Sequence, residues 1–177
     1  WFYSLAVFLN TFGLIPVALI LFSGSTILQP LGQVWLVPIL YVAVQVVDVP
    51  MALVSGHLFD KVGVKFLVIP FVLSVLPAFF ISFSGLTGVV LACVTFGLVL
   101  GMQESIYRAA VCDLIPLGKR GTAYGVFNAI LGLGTLASGI AFGFLMSGDY
   151  PLFVMVLLAL FMQVAAVLCI LRVKKQV

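Results

Sequence analysis

Residues 1–47 contain no Asp, Glu, Lys, Arg or His, and neither do residues 66–103. Few folds accept such runs. A soluble domain draws about a quarter of its residues from the charged types to cover its surface. This 177-residue chain has 7% and a mean hydropathy of +1.38. A lipid bilayer is the solvent that accepts it, and a helix needs about 20 apolar residues to cross one. The runs are continuous and do not alternate over segments of about ten residues, which argues against a β-barrel. The chain therefore reads as an all-α polytopic membrane protein.

Punctuation by Gly, Pro and charge divides it into six spans within one domain, 1–177: about 2–22, 34–55, 66–83, 89–114, 122–146 and 152–171. Trp1 and Tyr3 are expected at the interface. Pro38 and Pro50 are expected inside the second span and Pro70 and Pro77 as kinks in the third, since membrane helices tolerate proline where neighbours satisfy the freed carbonyls. Residues 23–33, 56–65, 84–88, 116–121 and 147–151 read as loops.

Six spans alternate sides, so the charges test the orientation. Lys61, Lys65, Lys119, Arg120, Arg172, Lys174 and Lys175 fall on one side, the opposite loops have no Lys or Arg, and Arg108 lies within a span. Basic residues stay cytoplasmic. The segment Gly56–Lys65, both ends of the span set and the C-terminus are thus expected in the cytoplasm, with the protein in the cell inner (plasma) membrane. The chain starts directly in an apolar run at Trp1, so a fragment that has lost an upstream part is expected.

The net charge of +3 comes from a basic tail, and no nucleic-acid surface is read from it. Cys93, Cys112 and Cys169 are too far apart for a disulfide framework or a metal knot and read as small core residues. His57 is the only histidine. No metal or cofactor is expected, and no Ser/His, His/His or Asp-dyad spacing supports an intramembrane enzyme. A weak internal echo links Gly56-x-Leu58 with Asp60 to Gly143-x-Leu145 with Asp149, on opposite sides. It suggests two three-helix units in inverted topology.

Gly56-His57-Leu58-Phe59-Asp60-Lys61-Val62-Gly63-Val64-Lys65 resembles the cytoplasmic signature G-x-L-x-D-[RK]-x-G-[RK]-[RK] of the major facilitator superfamily. Gly56, Leu58, Asp60, Lys61, Gly63 and Lys65 match, and Val64 stands at a usually basic position. Asp113-Leu-Ile-Pro116-x3-Arg120-Gly121-Thr122-Ala123-Tyr124-Gly125 is similar to the acidic-x6-Arg segment joining the fourth and fifth helices of each half in that superfamily. The resemblance implies one six-helix half of a twelve-span secondary transporter, the C-terminal half, whose partners are the missing half, the bilayer and a small solute. It implies that Asp60, with Asp113 and Arg120, belongs to a cytoplasmic gate, Asp60 latching onto basic groups and a helix N-terminus of the other half. A solvated loop kept inside by its charges is the plainer alternative.

Tyr41, Gln45 and Asp48 are spaced i, i+4, i+7 and share a helix face. Asp48 reads either as a substrate- or proton-binding carboxylate or as a structural one tied to another helix, for instance to Arg108. Glu104 and Arg108, four apart, can pair along one helix or join a gating network. Asn128 shares a face with Tyr124, Leu131 and Thr135 and is the cavity candidate of the fifth span. Asn10 contacts solute or bonds a neighbouring helix. Gly121-x3-Gly125 and Gly139-x3-Gly143 are expected to pack closely on other helices. The function expected is alternating-access transport coupled to protons through Asp48 or Glu104. A non-transporting scaffold or stable half-protein is the alternative.

Overall fold

A computed structural model describes residues 2–83, 85–148 and 150–173. Trp1, Asp149, Lys174 and Lys175, named above, and Ser84, the first residue of the expected loop 84–88, lie outside the described residues. Eight α-helices and no strand occur among the described residues: α1 Phe2–Gly13, α2 Val17–Leu28, α3 Val37–Val62, α4 Val68–Leu73, α5 Leu76–Ile81, α6 Leu86–Leu114, α7 Arg120–Ser147 and α8 Phe153–Leu171. Five stretches are long and apolar enough to cross a membrane: Phe2–Leu31, Val34–Ile81, Leu86–Leu114, Leu117–Ser147 and Phe153–Leu171.

Prolines set the breaks. Pro16 disfavours helix in Ile15 before it and is itself extended, with ψ 141. The first apolar run is therefore α1 and α2 joined through Leu14–Pro16. Ser138 of α7 donates to the freed Leu14 carbonyl at 2.6 Å. Helix then continues through Ser23–Leu28, where a loop is expected from the sequence. Ser25 and Thr26 turn their hydroxyls back onto the Phe22 and Ser23 carbonyls, so these polar groups are satisfied within the helix. The expected third span is α4 and α5, broken at Ser74–Val75 just before Pro77. Ser74 covers the Pro70 carbonyl at 2.7 Å. Pro50 sits inside α3, and Pro38 is in its first turn.

α3 is the largest departure from expectation. It runs 26 residues to Val62, so Gly56–Val62 is helix and not loop. Nothing before Gly63 breaks it, and at 1.5 Å per residue it extends about 39 Å, more than a bilayer core of about 30 Å. Gly63 ends it with φ 73 and ψ −158, a region open essentially to glycine alone. Gly63→Ala should therefore lower the melting point in detergent, with a cost of about 1–3 kcal/mol; an unshifted melt would mean that the turn relaxes without strain.

The contacts fix the directions. Val44 lies at Gly97, Asp48 at Gly101 and Gly56 at Ser105, so α3 and α6 run side by side in the same direction. Tyr3 stacks on Phe127 and Thr11 meets Gly134, so α1 and α7 are also parallel. α8 runs against α1, with Asn10 bonded to Gln163 and Gly13 close to Ala159. The core has two layers. Leu28, Leu40, Ile81, Val89 and Met155 fill one end. Phe59, Phe66, Leu67, Val111, Phe127 and Ile170 fill the other. Lys61, Lys65, Lys119, Arg120 and Arg172 flank elements of this second layer, so the described basic residues outside α6 gather at one end.

Candidate functional site

The break at Leu14–Pro16 leaves a gap beside it. A cleft of about 440 Å³ opens between the α1–α2 junction, α6 and α7. Its walls are mainly apolar: Leu14, Ile15, Phe96, Leu100, Phe127 and Leu131. Gln103, Glu104, Tyr107, Arg108, Asn128 and Thr135 supply polar groups. An apolar hollow with a few converging polar groups is the usual form of a small-molecule site. Glu104, Arg108 and Asn128, named from sequence as candidates, thus line one cavity, and all three are exposed.

Asn10 is not among the lining residues. It is fully buried behind the cleft, as the hub of a polar cluster. Its amide nitrogen donates to Gln163 Oε1 at 2.7 Å and to Ser74 Oγ at 3.1 Å. Its amide oxygen accepts from Gln103 Nε2 at 2.8 Å and from the Tyr107 hydroxyl. Gln163 Nε2 returns a bond to the Asn10 carbonyl at 3.0 Å. Of the two roles open to Asn10, the structure displays helix bonding, tying α1 to α6, α8 and the α4–α5 break. Ser74 and Gln163 went unread in the sequence, although a lone glutamine in an apolar span such as Phe153–Leu171 is itself a signal.

Tyr41, Gln45 and Asp48 part company. Tyr41 is exposed, Gln45 half-buried and Asp48 buried. Asp48 lies against Gly101 of α6 and outside the cleft lining. Among the described residues its Oδ1 has no hydrogen-bond partner, nor does Gln45 Oε1, so a tie to Arg108 is not made through that oxygen.

At the basic end, Asp60, Lys61 and Lys65 are exposed on and just beyond the last turn of α3, while Phe59 immediately before them anchors the core. Gly56 gives α3 its approach to Ser105. Leu58 is exposed. Arg120 reaches back across the α6–α7 turn, donating to the Cys112 carbonyl at 2.9 Å and the Ile115 carbonyl at 3.2 Å. Cations suit the carbonyl end of a helix. Tyr124 adds a bond to the Arg108 carbonyl at 2.9 Å. Asp113 is exposed and points to no such bond.

The glycine patterns also redistribute. Gly121, Gly125, Gly139 and Gly143 have open space where a Cβ would stand, against expectation. The close contact is made by Gly97 and Gly101, where a Cβ would meet the Val44 and Asp48 carbonyls of α3. Their four-residue spacing was readable, but only packing distinguishes one such pair from another.

No family model matches the chain, and no solved structure matches it. Over 125 residues, 71% of its length, the chain is 37% identical to an uncharacterized protein of Mycobacterium tuberculosis and to one of Mycobacterium bovis. The match takes up 31% of each relative, so the chain spans about a third of the length of the curated relatives it matches.

Proposed function

We propose that the chain is one six-helix half of a secondary transporter, in which a small solute binds between two halves and is released by alternating access. The observation that carries this reading is the cleft. It is apolar with a few polar groups, it is formed where a helix breaks, and α7, one of its walls, is mostly unburied. The open glycines of α7 leave that helix free to be approached by another body.

Other features agree. α5 lies by Gly88 at the start of α6 and α4 by Tyr107 near its end, so α4–α5 runs against α6; read as a pass of its own, it would bring the number of alternating passes to six. Exchanging the units α1–α5 and α6–α8 pairs α3 beside α6 with α7 beside α1, both parallel, as an inverted repeat requires. The relatives, of which 125 residues are 31%, are about 400 residues long and have room for a second half. The basic end would face the cytoplasm. The resemblance of Gly56–Lys65 and Asp113–Gly125 to the major facilitator signature points the same way, with Asp60 as latch.

The test needs no knowledge of the solute. In the full-length protein with its other cysteines replaced, Asn128→Cys should react with a membrane-impermeant maleimide from either side of the membrane. Reaction from one side under every condition would favour a scaffold. Asp60→Asn should insert normally yet impair transport. A latch contact is worth about 0.3–1 kcal/mol, so this variant should raise cytoplasmic labelling about two- to fivefold. Unchanged labelling would count against the latch.

A further inference from the structure

We propose that Asp48 and Gln45 form a proton-binding site at the contact of α3 with α6, the exchangeable proton standing on Asp48 Oδ1 with Gln45 Oε1 as its acceptor. Two buried side-chain oxygens lack a partner here, and they sit three residues apart on the same helix, so they share a face. Asp48 is only 7% exposed.

Among the described residues no donor is bonded to either oxygen. α6 presents Gly97 and Gly101 along this contact, Gly97 against Val44 and Val47 and Gly101 against Asp48. The backbone N–H groups of both helices at this level belong to helical bonds, and Pro50 has none. The ionisable groups of α6 are Cys93, Glu104, Tyr107, Arg108, Cys112 and Asp113. Cys93 is buried before Gly101 in the helix, Tyr107 is buried with its hydroxyl bonded to Asn10, Cys112 meets the Tyr124 hydroxyl, and Glu104, Arg108 and Asp113 are exposed. Those of α3 and the turn after it are Tyr41, His57, Asp60, Lys61 and Lys65, likewise exposed and at least seven residues from Asp48. α2, which packs on Leu40, has no ionisable residue.

One proton repairs both defects. A carboxylate binds a proton from water to become an acid, its O–H donates, and Gln45 Oε1 accepts. Buried polar groups without partners are rare for energetic reasons, and an uncompensated buried carboxylate is the costlier case. A metal ion fits less well. Hard cations take about six oxygens, and carbonyls join such sites where a membrane helix unwinds, whereas α3 is continuous here. Among the described residues no group of three His, Cys, Asp or Glu could hold a metal. Gly101 covers Asp48 Oδ1 from the α6 side, so movement of α3 away from Gly101 would open this oxygen to water. Use of the proton in coupling rests on the transporter reading above; its presence on Asp48 does not.

Infrared spectroscopy of the full-length protein in membranes tests this directly. A protonated-carboxyl C=O band should be present at neutral pH, shift in D₂O, and vanish in Asp48→Asn, whose amide can still donate to Gln45. Gln45→Leu, which keeps the acid but removes its acceptor, should move the band to the higher frequency of a free acid. A band unchanged in Asp48→Asn overturns the proposal. If that variant does not fold, an unmoved band in Gln45→Leu does so. The measurement reads proton occupancy without transport, so a protein that fails to transport and a protein that lacks the site give different results.

Discussion

Asn10→Leu should destabilise the bundle by about 2–4 kcal/mol, because four side chains lose a partner at once. Gln103, Tyr107, Ser74 and Gln163 all bond to the Asn10 amide. An interhelical hydrogen bond in a membrane protein is worth about 0.6 kcal/mol on average, less than in a soluble core because the unfolded chain in lipid also finds partners. Four of them set the lower figure. Leaving buried donors and acceptors unpaired sets the upper one. Ser74→Ala should cost less, about 1 kcal/mol, since the Asn10–Gln163 and Asn10–Gln103 bonds survive. Unfolding in mixed detergent–SDS micelles measures both. A difference of under about half a kcal/mol between Asn10→Leu and wild type would remove Asn10 as the hub.

Gly101→Val should be the more severe change, with a loss of about 3 kcal/mol or more and little monodisperse protein. A Cβ at Gly101 falls on the Asp48 carbonyl oxygen and comes within 3.0 Å of Ala52 N. Both are backbone atoms of α3, so no rotamer change relieves the clash and the helices must separate. Separation would also undo the Gly97 contact, which is so close that an added Cβ would stand 2.5 Å from the Val44 carbonyl oxygen. Gly139→Val on α7 is the control. Nothing lies within 4 Å of its Cβ position, and Val is the better helix former, so stability should hold or rise by up to about half a kcal/mol. Gel filtration and thermal melting in detergent distinguish the two. Equal melts would mean that the α3–α6 contact is not a tight one.

Helix class and the approximate places of the apolar passes were legible because hydrophobic length is a property of the chain alone. Residues 152–171 match α8 to one residue, and 122–146 match α7 within two. The structure departs from the sequence expectation where polar residues predict a loop. Ser23–Leu28 and Gly56–Val62 are helical because serine and threonine bond back to their own helix, and because an isolated glycine breaks a helix only when its φ is positive. Gly63 has such a φ and Gly56 does not.

The candidate site was half legible. Glu104, Arg108 and Asn128 stood out as polar residues in apolar spans and do line one cleft. Asp48 stood out in the same way but lies elsewhere, against Gly101. Sequence periodicity gives the face of a residue on its own helix and says nothing of which helix that face meets.

The uncharged runs 1–47 and 66–103 by themselves determined an all-helical chain suited to an apolar solvent, since only helices and closed barrels satisfy their own backbone groups there and these runs lack the alternation of barrel strands. Only the tertiary structure decided which polar residues face each other. It joined Asn10 to Gln163 across 153 positions, separated Asp48 from the cleft, and chose Gly97 and Gly101 over the glycines of α7 as the close contact. These choices depend on shape and partner at each crossing of two helices, and that information is shared between distant segments and carried by neither alone.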